Sequence, residues 1–230
     1  MTNKNPNIKV AVDSIVFGYS KNEGVSVLLI QRKYEPYKNQ WAIPGGFVLE
    51  NESLEDAVRR ELSEETGITV NYLEQLYTFG DPRRDPRQHI ISVAYFALVK
   101  SARFQQLKAS TDAENAKWFN VKSLPQLAFD HHKILNAAIE RIRIKVRYEP
   151  IGFELLDKQF PFSDLEKLYI DLLGREIDRR NFSKKILSLG VLDETNEYAK
   201  PDGKGRPSKM YRFNKNRYKE LIKKGINFGI

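Results

Sequence analysis

Glu61, Glu64 and Glu65 stand three and four residues apart inside the segment GFVLENESLEDAVRRELSEETGI, residues 46–68. On a helix this spacing projects all three carboxylates from one face. Like charges held so close each tend to keep a proton unless a cation sits among them. A hard divalent ion bound through oxygen resolves that repulsion. The composition agrees, because the chain has no cysteine and three histidines, His89, His131 and His132. Oxygen must therefore dominate any ligand set, which favours Mg2+ or Mn2+. Arg60 lies four residues before Glu64 and can fix that carboxylate's orientation. Gly45-Gly46, just upstream, is backbone that can approach a phosphate closely.

A second set of residues carries the opposite charge. Between Lys200 and Lys224 ten Lys or Arg stand against two acids, Asp202 and Glu220. The net charge of +8 over 230 residues therefore belongs to this tail, and the remainder is about neutral. Just before it, DRRNFSKKILS places Arg179, Arg180, Asn181, Lys184 and Lys185 on the helix faces left over by Phe182, Ile186, Leu187 and Leu189. Arg can pair bidentately with guanine and Asn with adenine, while Lys suits phosphate. Lys204, Arg206 and Lys209 fall on a turn-rich loop between two strand-like runs, where they can follow phosphates or enter a minor groove. The alternative for such a run is a solvated charged face.

The elements that must hold these residues follow from periodicity and punctuation. Residues 8–17 and 25–30 read as strands joined by a polar turn, and 31–46 as a loop ending in Pro44-Gly45-Gly46. The acidic segment reads as a helix from Ser53, its N-cap, to Thr66, with Gly67 past its end. YLEQLYTF, HIISVAYFALV and AKWFNV read as strands and HHKILNAAIERIRI as a helix. Strands around a central helix, with another helix behind, predict an α/β sandwich with a mixed sheet over residues 1–147. Pro150 and Gly152 break the pattern, and it starts afresh over residues 148–230. There Ser163 to Glu166 reads as a capping box, and Gly174 ends the helix it opens. Asp178 caps a second helix, and VLDE and MYRFN flank the basic loop as a hairpin. This order predicts a winged helix-turn-helix. Its usual first helix is not evident, and residues 131–145 or the FELL segment stand in for it. Trp41 and Trp118 read as packing residues, and His131 and His132 as structural ones at a helix start. The N-terminus lacks a basic and then apolar leader, and no stretch nears the roughly 20 apolar residues of a membrane span. A cytoplasmic protein with no membrane contact is expected.

The spacing of the acidic segment matches the Nudix box at every defined position. Gly46 is followed after five residues by Glu52 and after seven more by Arg60-Glu61-Leu62-x-Glu64-Glu65-x-Gly67-Ile68. The preceding WAIPGG is similar to the lead-in of Nudix hydrolases. The resemblance implies that Glu61, Glu64 and Glu65, with the Gly46 backbone, hold the metal. It implies that Glu52 assists through the same network and that Arg60 orients the carboxylates. Glu64, Glu61, Arg60 and Glu52 are then the catalytic set for hydrolysing a nucleoside diphosphate joined to another group. The base is left open between a box glutamate and a carboxylate on a later loop. TFGDPRRDPRQHIISVAYFALV, residues 78–99, resembles a segment of Nudix proteins acting on ADP-ribose. Arg83, Arg84 and Arg87 could meet a pyrophosphate there. The alternative is a surface loop whose arginines pair with Asp81 and Asp85.

Over residues 8–220 the chain resembles Nudix-related transcriptional regulators of the NrtR type, through LAFDHHKIL, EPIGFELL, DRRNFSKKIL and GRPSKMYRF as well as the box. The resemblance implies a homodimer on an inverted-repeat operator of NAD-biosynthesis genes, released by ADP-ribose or a related NAD metabolite. Some relatives instead sense a pentose and control sugar use. Many regulators of this type have an eroded box, whereas here it is intact. Three expectations therefore stand together: a repressor that binds and also permits Mg2+-dependent cleavage of ADP-ribose, an ADP-ribose pyrophosphatase with an accessory C-terminal domain, and a pentose-responsive regulator.

Overall fold

The computed structural model describes residues 7–70, 72–99, 113–200 and 207–225. The chain divides into two compact units, one of residues 1–18 and 26–139 and one of residues 19–25 and 140–230.

The first unit is built on a mixed sheet. Its strands are β1 (Lys9–Ser20), β2 (Gly24–Arg32), β3 (Trp41–Ala42), β4 (Gly45–Phe47), β5 (Tyr72–Phe79), β6 (Ile90–Val99) and β7 (Ala113–Asn120). The order is β3-β2-β1-β6-β5, with β4 added on β1 and β7 on β2. β1 and β6 run parallel from Lys9↔Ile90 to Gly18↔Val99. β6 is buried at all but one position and β1 from Val12 to Tyr19, as a central parallel pair covered on two faces must be. The helix α1 (Leu54–Thr66) lies between β4 and β5 in the chain, and α2 (His131–Tyr148) follows β7. Ala57, Val58 and Leu62 turn one side of α1 onto Val12, Val16, Leu28, Val93, Tyr95 and Ala97 of the sheet. That burial fixes which way the acidic residues of α1 face.

The helix bounds at Ser53 and Gly67 are those the sequence predicts. The Ser53 hydroxyl accepts from the Asp56 N–H, and Gly67 takes the left-handed conformation. The loop expected over 31–46 instead contains β3 and β4. These are short pieces whose pairing on β2 and β1 is a tertiary event that two or three residues cannot announce.

The second unit opens with a single 3-10 turn at Phe153–Leu155 and continues as β8 (Phe160–Pro161), α3 (Phe162–Leu173), α4 (Arg179–Ser188), β9 (Leu192–Ala199), β10 (Ser208–Phe213) and α5 (Lys215–Lys224). A three-stranded sheet of order β8-β10-β9 closes it. Leu165, Leu168, Tyr169, Phe182, Ile186 and Val191 form its buried interior, with Tyr169 and Phe182 ring centroids 4.8 Å apart. This is the helix-turn-helix with a hairpin that the sequence predicts. Two details differ. α3 begins at Phe162 with Pro161 at the cap and no side-chain cap bond, so Ser163 caps nothing. Phe162 is drawn into the helix because its ring packs on Phe182 and Tyr211, with centroids 5.9 Å away in both cases. α5 was not anticipated at all, although Asn214 caps it through the Arg217 N–H. No helix among the described residues is long and apolar enough to cross a membrane.

Candidate functional site

The acidic residues of α1 are organised by Arg60. Its Nε donates to Glu52 Oε1 at 2.7 Å and Nη2 to Glu52 Oε2 at 3.0 Å. Nη1 reaches Glu61 Oε1 at 2.8 Å and Glu64 Oε2 at 3.2 Å, and Nη2 also donates to the Phe47 carbonyl at 3.0 Å. All five N–H donors of the guanidinium are thus engaged, and the three glutamates are tied to the end of β4. The fourth, Glu65, is buried and accepts from the Gly45 N–H at 2.9 Å. Bonds from Arg60 and from the Leu49 N–H hold the Glu52 carboxyl below the usual range. Burial pushes Glu61 above it, against the opposing pull of Arg60.

β4 brings the glycines to these acids. Ser14 N donates to the Pro44 carbonyl at 2.8 Å and Val48 N to the Val10 carbonyl at 3.1 Å, clamping β4 against β1. A Cβ on Gly45 would lie 2.1 Å from the Val12 carbonyl oxygen, and one on Gly46 would lie 2.1 Å from Glu61 Oε1. Both positions are glycine because backbone or carboxylate already fills the space.

The donor set fits a hard divalent ion: every side-chain donor is an oxygen, and Glu61 is a desolvated carboxylate that a cation would stabilise in its ionised form. Among the described residues, no three Asp, Glu or His side chains converge on one point. Arg60 holds Glu61 through Oε1 and Glu64 through Oε2.

Next to the glycines opens a small cleft of about 70 Å³, lined by Asp13 from β1, Ile30 and Arg32 from β2, Gly45, Gly46 and Phe47, then Arg84, Asp85 and Arg87, and finally Phe129 and His131. The three arginines expected to meet a ligand have different fates. Arg83 is 92% exposed and lies 3.7 Å from Asp81; it does not line the cleft. Arg84 lines it, but its side chain is buried and committed to Asp130 at 2.8 Å and Asp13 at 3.2 Å. Arg87 lines it with a bidentate pair to Asp85, at 2.9 and 2.7 Å. The surface-loop alternative thus describes Arg83, with elements of it in the Arg87–Asp85 pair. Ser92 Oγ also donates to Asp13, and the Ile43 N–H donates to His131 Nδ1 at 2.9 Å. Burial keeps the His131 pKa below its ordinary value, so this ring is neutral and structural. Trp41 packs edge-on against Phe119 at 4.7 Å, and Trp118 packs on the sheet core. Arg32 and Phe129 were missed in the sequence, where nothing local marks them.

In the second unit Arg179, Arg180, Asn181 and Lys184 are exposed on α4, and Lys185 is half-buried. The Asn181 amide is occupied, donating to Asp178 Oδ2 at 2.7 Å, and Asp178 also accepts from the Asn181 N–H at 3.1 Å. Lys209, on β10, pairs with Glu194 of β9. Lys204 and Arg206 lie outside the described residues.

The NUDIX domain family model matches residues 8–138, and the NrtR DNA-binding winged helix domain model matches residues 152–213. The ADPR responsive transcriptional repressor NtrR of Acinetobacter baylyi is 35% identical over 212 residues, which is 90% of this chain and 83% of that protein. The crystal structure of Shewanella oneidensis NrtR complexed with a 27mer DNA superposes with a TM-score of 0.80 at 32% identity, over 91% of this chain and 95% of that one. The NUDIX domain of the same protein, complexed with ADP ribose, superposes with a TM-score of 0.55 at 35% identity, over 61% of this chain and 92% of that one. With both domain models matched in one chain, the protein belongs to the Nudix family, among the NrtR-type proteins that join a Nudix domain to a winged helix.

Proposed function

We propose that this protein is a DNA-binding transcriptional repressor whose Nudix unit binds ADP-ribose or a related nucleotide sugar and whose hold on DNA weakens when that cleft is filled. The observation that carries this is the presence in one chain of an intact Nudix box beside an open cleft and a winged helix whose α4 presents Arg179, Arg180 and Lys184 to solvent. A homodimer in the cytoplasm, with one winged helix on each half of an inverted repeat, suits the docking geometry of such helices. The test is a gel shift on the region upstream of its own operon, repeated with ADP-ribose, NAD and several pentoses. Release by ADP-ribose is expected. Release by a pentose alone would favour the sugar-responsive reading, and no shift at low salt would remove the regulator.

Glu61, Glu64 and Glu65, with the Gly46 backbone, are the residues that would hold Mg2+ or Mn2+. Such an ion, when bound, acts as a Lewis acid on phosphoryl oxygens and lowers the pKa of a water. Arg60 keeps Glu52, Glu61 and Glu64 gathered at the end of β4, and Glu65 fixes the Gly45 N–H toward α1. The missing Cβ of Gly46 leaves Glu61 its place. Hydrolysis is the second reading, favoured by the complete box. Glu64→Gln should abolish any turnover of ADP-ribose and leave DNA affinity unchanged. A wild type without measurable turnover would make the unit a sensor alone.

A further inference from the structure

We infer that Arg32 is the anion-binding residue of the cleft, meeting a phosphate of a nucleoside diphosphate while Phe129 serves as the platform beneath its guanidinium, an inference that rests on the Nudix unit binding such a ligand.

The charges of the cleft single it out. Three guanidinium groups line it, those of Arg32, Arg84 and Arg87. Arg84 is neutralised by Asp13 and Asp130, and Arg87 by Asp85. Arg32 forms no salt bridge with any described residue. It donates from Nε to the Pro36 carbonyl at 2.8 Å and from Nη2 to the Tyr34 carbonyl at 3.4 Å. Those bonds aim the group without bringing any described carboxylate within salt-bridge distance, and Nη1 is free of any protein acceptor among the described residues. Its guanidinium carbon lies 4.7 Å from the centre of the Phe129 ring, and that of Arg87 lies 5.8 Å from the same ring. Burial, and after it the repulsion of Arg87 beside the same ring, draws the Arg32 pKa down against the weaker pull of Asp85, Glu65 and Glu35. A phosphate between the two guanidinium groups removes that penalty and matches the planar fork.

The platform is itself held under strain. Phe129 has φ 51°, a left-handed backbone that a bulky residue adopts only when its surroundings enforce it. Tyr37 packs edge-on against it at 4.7 Å, and His131 lies at 5.3 Å. The same cleft reaches Gly45 and Gly46, so a diphosphate can lie with one end at the box and the other at Arg32.

The rival explanation is that Arg32 merely latches the 34–36 loop. Calorimetric titration of ADP-ribose into the full-length wild type, Arg32→Gln, Arg32→Lys and Arg83→Ala, at several salt concentrations, separates the two, with melting temperatures recorded for each. Arg32→Gln should bind roughly 10- to 100-fold more weakly with a flatter salt dependence. Arg32→Lys should lie between, because it keeps the charge but not the fork, and Arg83→Ala should stay within about twofold. Arg32→Gln within twofold of wild type overturns the inference. So does equal weakening of the Gln and Lys variants with an unchanged salt slope, which is the signature of the latch. A wild type that fails to bind ADP-ribose at all would instead remove the proposed function.

Discussion

Gly45 and Gly46 are neighbours excluded from carrying side chains for different reasons, and the difference is measurable. A Cβ on Gly45 meets the Val12 carbonyl, which is backbone within the β1–β4 pairing, whereas one on Gly46 meets the tip of the Glu61 side chain. Backbone cannot yield without breaking the ladder, but a carboxylate can swing away. Gly45→Ala should therefore cost roughly 1–3 kcal/mol of stability in urea unfolding. Gly46→Ala should cost less, while displacing Glu61 from Arg60 and weakening any Mg2+-dependent turnover. Equal losses of stability would contradict the geometry. His131 offers a pH test of the cleft floor. Its folded pKa lies below its ordinary value, so the unfolded chain takes up the proton first. Its contribution is complete above about pH 6.5 and is lost as the pH falls from there toward the folded pKa. Protonation would also abolish the bond from the Ile43 N–H. The melting temperature of the wild type should thus fall more steeply below about pH 6.5 than that of His131→Gln, and parallel curves would refute this.

At the scale of elements, α4 depends on one cap. Asp178 satisfies the Asn181 N–H, so Asp178→Ala should cost about 1 kcal/mol and Asp178→Asn almost nothing, read from denaturant midpoints. An Ala variant as stable as wild type would show that tertiary packing of Phe162, Tyr169 and Phe182 alone sets where α4 begins. This contest between local signal and packing also decides what the sequence could tell. α1 was legible because the Ser53 cap, the buried face of Ala57, Val58 and Leu62, and Gly67 all agree. The box was legible because its spacing lies within one helix and the turn before it. The start of α3 lies two residues before the one the capping box predicts because Phe162 answers to rings on α4 and β10, which no local pattern encodes. α5 is hidden in the sequence by its own charge, because its basic residues merge with those of the tail despite Asn214 before it and Gly225 after it. Arg32 was invisible because its significance needs β2, the 84–87 segment and Phe129 brought to one place by the sheet.

At the scale of the whole molecule, the surplus of positive charge has to be divided between cations already paired and cations available to a polyanion. Lys209 is paired with Glu194, Arg212 lies 3.6 Å from Asp193, and Arg217 lies 3.3 Å from Glu220. Among the described residues no salt bridge engages Arg180 or Lys184, and both are exposed on α4. Exposed pairs on the hairpin contribute little to stability, yet each acid in them also lowers the field that a phosphate would meet. The share of DNA affinity carried by α4 should therefore exceed that of the described part of the hairpin. If Arg180 and Lys184 each neutralise one phosphate, changing both to Ala should lower the slope of log affinity against log salt by about 1.8 per winged helix engaged. The loss of affinity should be large at low salt and shrink as salt rises. Lys209→Ala should change the slope less, because Lys209 is already paired with Glu194 and is less available to neutralise a phosphate. ADP-ribose affinity, which belongs to the other unit, should be the same in all three proteins. Fluorescence anisotropy with a labelled operator between low and moderate salt measures the slopes. A steeper loss for Lys209→Ala than for the α4 double variant would move the principal contact from the helix to the wing.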